Sequence, residues 1–526
     1  MPSQQSAFVR FLKKWRDKVL NFWGALDIVT VVIEGEIFPV LSFGLREERR
    51  VGSMDAGSDV LRLTTTSQFV AGEKVIVEIG GEAGAGLIGT VGVGGFHAAT
   101  DAGQYYRAQI SPKSLKATVV STDPNGGRLV LNTPATVATV NANVYFDCTD
   151  IIVAKLAETH AGPFTLTFPT GEFAVSSRML HDSQDGWTIE GAGQDDTIFM
   201  SPKGVPSASM SFFDSDQMIY RDFQVKGNWK QNGFGLATFP PTFFPSDVPA
   251  GMYGHTTSNS VVERVKCVDV GMKGAWFDFA IGCSATDCTT ILTDVHRFYY
   301  SPWFYGCGDS TNCTFDNCRV ESESLISGFE TFRSTGAVFV DCVGINAVFS
   351  SNSSGNFTFN NCSVTIAENS WFDTASFSHT NPIFNINSNI SPPDTTMQFG
   401  GAITDCDITV AGPIGNANND FLKGIVVNVD NPHIRINGGT LSYPVAIVGQ
   451  EIGPFAIIST AEDCDVRNVT CLGAVEFPSF QANVNLSRSP GDAGQVDNVI
   501  GSVILNSVVV TGGRASGKSR VTGVSA

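Results

Sequence analysis

One setting for cysteine recurs through the middle of the chain. The strings are VKCVDV at Cys267, TDCTTI at Cys288, DNCRVE at Cys318, VDCVGI at Cys342, NNCSVT at Cys362, TDCDIT at Cys406 and EDCDVR at Cys464. The steps between them are 21, 30, 24, 20, 44 and 58 residues. The 44 reads as two steps of 22, and the 58 as two longer turns with INGGT around Gly438 between them. Self-similarity at such a period marks a solenoid, in which each unit buries its apolar face only by stacking on its neighbours. The units are short β-prone strings divided by Gly, Asn, Asp and Ser, without a helical pattern or a Leu-rich consensus. The expected fold is therefore all-β, a single-stranded parallel β-helix.

Strand alternation assigns the cysteines. In CRVESES, Cys318, Val320 and Ser322 fall on one face, and Arg319, Glu321 and Glu323 on the other. In CSVTI and CDITV the partners of the Cys are Val364 and Ile366, then Ile408 and Val410, so the Cys face is the core face. Buried reduced Cys behaves as a small polarisable apolar residue, and an internal thiol ladder is expected. No CxxC pair exists and the His residues are scattered, so no structural metal is expected. Disulfides are not expected either. Cys313 lies off the column. Asp316, Asp341, Asp405 and Asp463 precede it and are expected to form a polar turn stack.

A chain of 526 residues with 54 Gly, 38 Phe and a net charge of -18 is globular or fibrous rather than disordered. That charge disfavours non-specific nucleic-acid binding and adsorption to an anionic membrane. It leaves open an acidic polysaccharide bound at a local basic patch. No apolar run approaches the roughly 20 residues that span a bilayer, and the N-terminus lacks the apolar core of a signal peptide. Phe8, Phe11, Leu12, Trp15, Val19, Phe22, Trp23 and Leu26 instead have helical spacing. That helix packs on its own protein, docks with a partner or with copies of itself, or lies on a membrane surface.

Thr149 to Phe199 carries a resemblance. A short amphipathic helix with Ile151, Ile152 and Leu156 leads into TLTFPTGEF and then GWTIEGAGQDDTIF. This order resembles the entry to the right-handed β-helix of the pectate-lyase superfamily, with its capping helix, FP-x-G-x-[YF] strand and G-x-G strand end. Within that fold, the leading helix and the Gly-rich AGEKVIVEIGGEAGAGLIGTVGVGGF are similar to bacteriophage tailspikes. The resemblance implies a homotrimer made in the host cytoplasm and carried on the virion. It would attach to other virion proteins through its N-terminus and bind, and usually cleave, a bacterial surface polysaccharide. The corresponding organisation is an anchoring helix over 1–30, a β-rich region over 31–147, the β-helix over 148–505 and a terminal strand and polar tail over 506–526. FPPTFFPSDVP (Phe239–Pro249) and NISPPDTT (Asn389–Thr396) read as loops leaving the wall.

Glycoside hydrolysis uses two carboxyl groups, about 5–5.5 Å apart for retention and 6.5–9.5 Å for inversion. Residues i and i+2 on a strand share a face at roughly 6.5–7 Å. Glu321 and Glu323 are thus the expected catalytic pair, with Arg319 beside them for an acidic sugar, unless they are simply a solvated wall. HRFYYSPWFYGCGD (His296–Asp309) is the densest aromatic run, and Trp303 and Tyr305, with Trp276 one turn earlier, are the expected sugar-stacking residues. Asp278, Asp309, Glu330 near Arg333, and Asp373 beside Trp371 remain open carboxylates. No cofactor is expected. A polysaccharide lyase, with a Lys, Arg, His or Tyr base, is a second enzymatic reading. A non-catalytic glycan-binding or structural spike is a third. GGRASGKS (Gly512–Ser519) matches a phosphate-binding loop but has no room for the helix that chemistry requires. GAGQDD (Gly191–Asp196) reads as a β-helix turn.

Overall fold

The computed structural model describes the backbone of each strand named below. It describes side chains over 44–78, 114–158 apart from 124, and 163–227 apart from 178, 203–204 and 206–209. They are also described over 251–293 apart from 271–272, and over 304–322, 328–351, 356–365 and 402–407. The helix expected at 1–30 lies outside these residues, save that Ile28–Ile33 is a strand paired antiparallel with Glu36–Leu41. The inserts Phe239–Pro249 and Asn389–Thr396 also lie outside.

Six antiparallel strands between residues 49 and 146 close into a barrel. Its order is Thr139–Phe146, Arg49–Met54, Val60–Leu63, Arg128–Leu131, Ser114–Thr122, Lys74–Gly81 and back to the start. Closure removes the open edges that would otherwise invite pairing with other chains. Leu61, Val75, Val77, Leu129 and Val144 fill the interior. The chain then enters a helix, Thr149–Leu156, whose first turn is tied down by Asp147. That carboxylate accepts from the Thr149 amide at 3.0 Å, the Thr149 hydroxyl at 2.6 Å and the Ser176 hydroxyl at 2.6 Å. Ile152 and Leu156 are buried in one apolar cluster that runs from the barrel into the solenoid, so the helix covers the open end of the first turn.

Every later pairing in the main sheet is parallel, between strands about one turn apart. Three ladders result. The first runs through Phe164–Thr167, Trp187–Glu190, the starts of Ile219–Lys226 and Val261–Val268, Ser284–Thr286, Thr314–Asp316 and Val338–Val340. The second runs through Gly171–Ala174, Thr197–Met200, the ends of Ile219–Lys226 and Val261–Val268, Thr289–Leu292, the starts of Arg319–Phe332 and Val343–Asn352, Ser363–Ile366 and Asp407–Val410. The third runs through Met179–Asp182, Met210–Phe213, Ala250–His255, Met272–Asp278, Tyr305–Gly308 and the end of Arg319–Phe332. This is a parallel β-helix, right-handed as parallel crossovers are. Its core is stacked aromatic rings: Phe315 on Phe339 at 4.7 Å and Phe329 on Phe349 at 4.3 Å. Each fully buried Phe contributes about 1.5–3 kcal/mol.

The thiol ladder exists, and its register corrects the sequence reading at three points. Its members are Cys288, Cys318, Cys342, Cys362 and Cys406, each buried and each just before a strand of the second ladder. Cys267 is two positions further along, since it pairs with Thr290, and Val265 takes its place. Ser363 pairs directly with Asp407, so the 44-residue step is one turn with long excursions rather than two turns. Cys464 lies outside the described residues, but Asp465 pairs with Arg435 in the first ladder, so that string is out of phase with the others. Cys313 belongs to another inward corner with Ser260, Cys283 and Ala337, linked by Thr314 N to Cys283 O and Val338 N to Cys313 O. The thiols donate to corner carbonyls, as Cys318 does to Ala285 O and Asp316 O, both at 3.5 Å. Burial raises the pKa of the Cys318 and Cys362 thiols, and that of Cys283 in the neighbouring corner to about 11.

The polar turn stack sits one residue later than expected from Asp316. Asp287, Asn317, Asp341, Asn361 and Asp405 all have φ near +50°, the left-handed region that Asn and Asp tolerate best. Asn317 Nδ2 donates to Asp287 Oδ1 at 2.6 Å, and Asn361 Nδ2 to Asp341 Oδ1 at 2.5 Å. Asp463 lies outside the described residues. In GGRASGKS, Arg514–Gly517 is a strand paired in parallel with Gln495–Val499, not a loop fronting a helix.

Candidate active site

The outward positions of the third ladder carry a polar cluster around Asp278. Register aligns Tyr253, Trp276, Gly306 and Glu330 in one line, and His255, Asp278, Gly308 and Phe332 in the next. The two glycines make this arrangement possible. A Cβ on Gly308 would lie 2.4 Å from Asp278 Oδ1, and one on Gly306 would lie 2.7 Å from Trp276 Cζ3 and 1.9 Å from Glu330 O. The side chains of one turn therefore lean across the bare backbone of the next.

Asp278 is the focus. Trp276 Nε1 donates to its Oδ1 at 2.6 Å and the Tyr253 hydroxyl to its Oδ2 at 2.8 Å. Lys273 Nζ lies 3.5 Å from Oδ2 and only 3.6 Å from the Tyr253 ring centroid, a cation–π contact. Two donors and an ammonium suit an acceptor-only carboxylate. Lys273 is buried, and burial lowers its pKa to about 8 against the attraction of Asp278.

Asp309 follows Gly308, the register partner of Asp278. Burial, the largest cause, raises its pKa; Arg333, with Nη1 3.9 Å from Oδ1, opposes this and the charge of Asp278 adds to it. Glu330 is fully enclosed and its Oε2 has no partner. Burial and then Cys307 raise its pKa well above the ordinary carboxylate value, which favours the neutral form. A row of rings approaches this cluster from the earlier turns. Phe213 meets His255 at 5.3 Å, and His255 meets Phe279 edge-on at 5.2 Å.

The expected site is only partly brought together. Arg319 and Glu321 do point outward while Val320 and Ser322 are buried, but Arg319 Nε is already engaged by Glu321 in an ion pair on the same strand. The Glu323 side chain and Trp303 lie outside the described residues. Tyr305 is not an exposed platform. It occupies an inward position between Ala275 and Phe329, fully buried, with its ring stacked on Phe329 at 5.7 Å and its hydroxyl bonded to Thr290 at 3.1 Å. Trp276 faces outward but is 3% exposed, so its indole holds Asp278 rather than offering a face. The open carboxylates Asp278, Asp309 and Glu330 are the ones that cluster; Asp373 lies outside the described residues. Lys273, Tyr253 and Phe279 went unnoticed in the sequence. The available signal was the Gly306–Gly308 pair inside a strand, which marks a close approach. Among the described residues no group of three or more His, Cys, Asp or Glu is arranged to hold a metal. No helix there is long and apolar enough to cross a membrane.

No family model matches the chain, and no curated protein matches it. Solved structures are similar in shape. A catalytic domain of a GH87 α-1,3-glucanase in complex with nigerose has 14% identity and a TM-score of 0.45, covering 95% of this chain and 89% of that one. The A-module of the Azotobacter vinelandii mannuronan C-5 epimerase AlgE6 has 14% identity and a TM-score of 0.35, covering 72% and 94%. The ORF18 protein of Geobacillus virus E2 has 13% identity and a TM-score of 0.36, covering 64% and 56%. The parallel β-helix fold rests on the strand register itself.

Proposed function

We propose that the protein is a β-helical spike that binds and hydrolyses a bacterial surface polysaccharide. One observation carries the reading: Asp278, buried and held by Trp276, Tyr253 and Lys273, is the register partner of Gly308, and the more exposed Asp309 follows it directly with its pKa raised. Two carboxyl groups in unequal environments are what glycoside cleavage requires. Asp309 would donate a proton to the glycosidic oxygen, and Asp278 would act on the sugar or its attacking water from the other side. Glu321 is a weaker choice, because it lies outside this cluster and pairs with Arg319 on its own strand. A homotrimeric phage tailspike docked through its N-terminal helix is the biological setting that the sequence resemblance supports.

A lyase is the second reading, favoured by Lys273. An amine brought down to about 8 by burial is a competent base at neutral pH. The test is incubation of purified protein with envelope polysaccharides. New reducing ends that disappear in Asp309→Asn support hydrolysis. Unsaturated, UV-absorbing ends that disappear in Lys273→Met support the lyase. Binding without shortening of the polymer refutes both, and leaves a glycan-binding or structural spike.

A further inference from the structure

At the exit of each strand of the third ladder the chain turns through one residue in the left-handed region. These residues are Ser183, Asp214, Thr256, Phe279, Asp309 and Arg333, with φ between 45° and 53° in every case, Phe279 at 52°. They share one backbone role. Thr256 N donates to Asp278 O, Phe279 N to Gly308 O and Asp309 N to Phe332 O. The corner is thus built equally well from Asp, Thr or Arg, and nothing in the fold calls for an aromatic ring there. A bulky side chain at positive φ is a genuine outlier. Phe279 is also 55% exposed, and its ring contact is an edge-on one with half-buried His255. It is strained and solvent-facing at once, two costs to the folded protein. Strain of this kind persists at ligand sites, where binding offsets it.

Its position says what the ligand is. Phe279 follows Asp278 directly, and Asp309 is its equivalent one turn on, with Arg333 the next. The spacing between turns, about 4.8 Å, is close to the length of one pyranose residue. A sugar lying on the Phe279 ring would therefore bring its glycosidic oxygen to Asp309 and its neighbour towards Arg333. We infer that Phe279 is the sugar-stacking residue of the site and that the glycan runs along the solenoid axis across successive turns. This rests on the hydrolytic reading above, and it commits to a pyranose with an apolar C–H face as occupant.

The experiment compares Phe279→Asn, Phe279→Tyr and Asp309→Asn with the wild type on a panel of bacterial capsular and O-antigen polysaccharides. Reducing-end kinetics, binding by titration calorimetry in the Asp309→Asn background, thermal melting and sedimentation are read together. Phe279→Asn is expected to weaken binding tenfold or more and raise KM, with a smaller change in kcat. It should also melt no lower than the wild type, because Asn suits the left-handed corner. Phe279→Tyr should retain affinity. Unchanged affinity in Phe279→Asn overturns the inference. So does a lower melting temperature without loss of binding, which makes the ring structural, or loss of an oligomer without loss of binding, which makes it a contact between copies. Full cleavage by Asp309→Asn instead overturns the hydrolytic reading, while the affinity of Phe279→Asn still decides the stacking role. A wild type that binds no polysaccharide in the panel refutes both.

Discussion

Trp276 and Asp278 stand two residues apart on one strand, and the indole Nε1 of the first donates to Oδ1 of the second at 2.6 Å. The tryptophan thereby orients a carboxylate instead of stacking on a ligand. Trp276→Phe keeps most of the ring volume and removes the donor. A hydrogen bond to a charged group is worth about 1.5–3 kcal/mol, so kcat for polysaccharide cleavage is expected to fall roughly ten- to a hundredfold with KM little altered. An unchanged kcat in reducing-end assays would show that Asp278 needs no such orientation.

Gly308 and Gly306 separate the site from the scaffold. Added to Gly308, a methyl meets the Asp278 carboxylate, a side-chain group that can move aside. Added to Gly306, it meets the backbone carbonyl of Glu330, which cannot move without breaking the ladder. Gly308→Ala should fold, with a melting temperature within a few degrees of wild type, and lose most activity. Gly306→Ala should yield little folded protein. Equal melting temperatures for the two would contradict this division.

His181 gives the solenoid an acid limit. It is fully buried, with Nδ1 3.0 Å from the Tyr220 hydroxyl and Nε2 unpartnered. Burial, the main cause, lowers its pKa from 6.5 to about 4. Between those values the unfolded chain binds a proton that the folded chain refuses. The contribution of neutral His181 is therefore complete above pH 6.5 and is lost as the pH falls towards 4, to a total of ~3 kcal/mol. Denaturant titrations of the wild type and His181→Phe across this window should show a flatter pH dependence in the variant. Identical slopes would mean the imidazole is not refused its proton.

The corner stack alternates Asp287, Asn317, Asp341, Asn361 and Asp405, so a neutral amide separates each pair of carboxylates. Asn317→Asp retains the turn preference and places three like charges on adjacent turns. A stability loss of about 1 kcal/mol is expected, largely recovered in high salt because the charges are exposed. A loss that salt does not relieve would point to the missing Asn317–Asp287 hydrogen bond alone.

The solenoid was legible because its corners repeat. Cys288, Cys318, Cys342 and Cys362 announce a period, and alternation around Cys318 gives the inward face. Phase was harder to read: Cys267 and Cys464 sit in similar strings at different points of the turn, and only backbone pairing separates them. The site was less legible still. Tyr253 reaches Asp278 through the register of adjacent turns, which no motif in the sequence marks. Tyr305 misled because an aromatic beside Gly306 and Gly308 suggests an open surface, yet it points inward and satisfies its hydroxyl on Thr290.

The direct pairing of Val338–Val340 with Thr358–Asn360, and of Val343 with Ser363, makes two consecutive turns interchangeable. Residues 338–357 could be excised, letting Thr358 follow Ala337 and Cys362 fill the place of Cys342. The rod would shorten by about 4.8 Å, while the cluster around Asp278 and Asp309, on earlier turns, would keep its neighbours. Length in this molecule is thus modular, a dimension that insertion or deletion of whole turns can adjust separately from its chemistry.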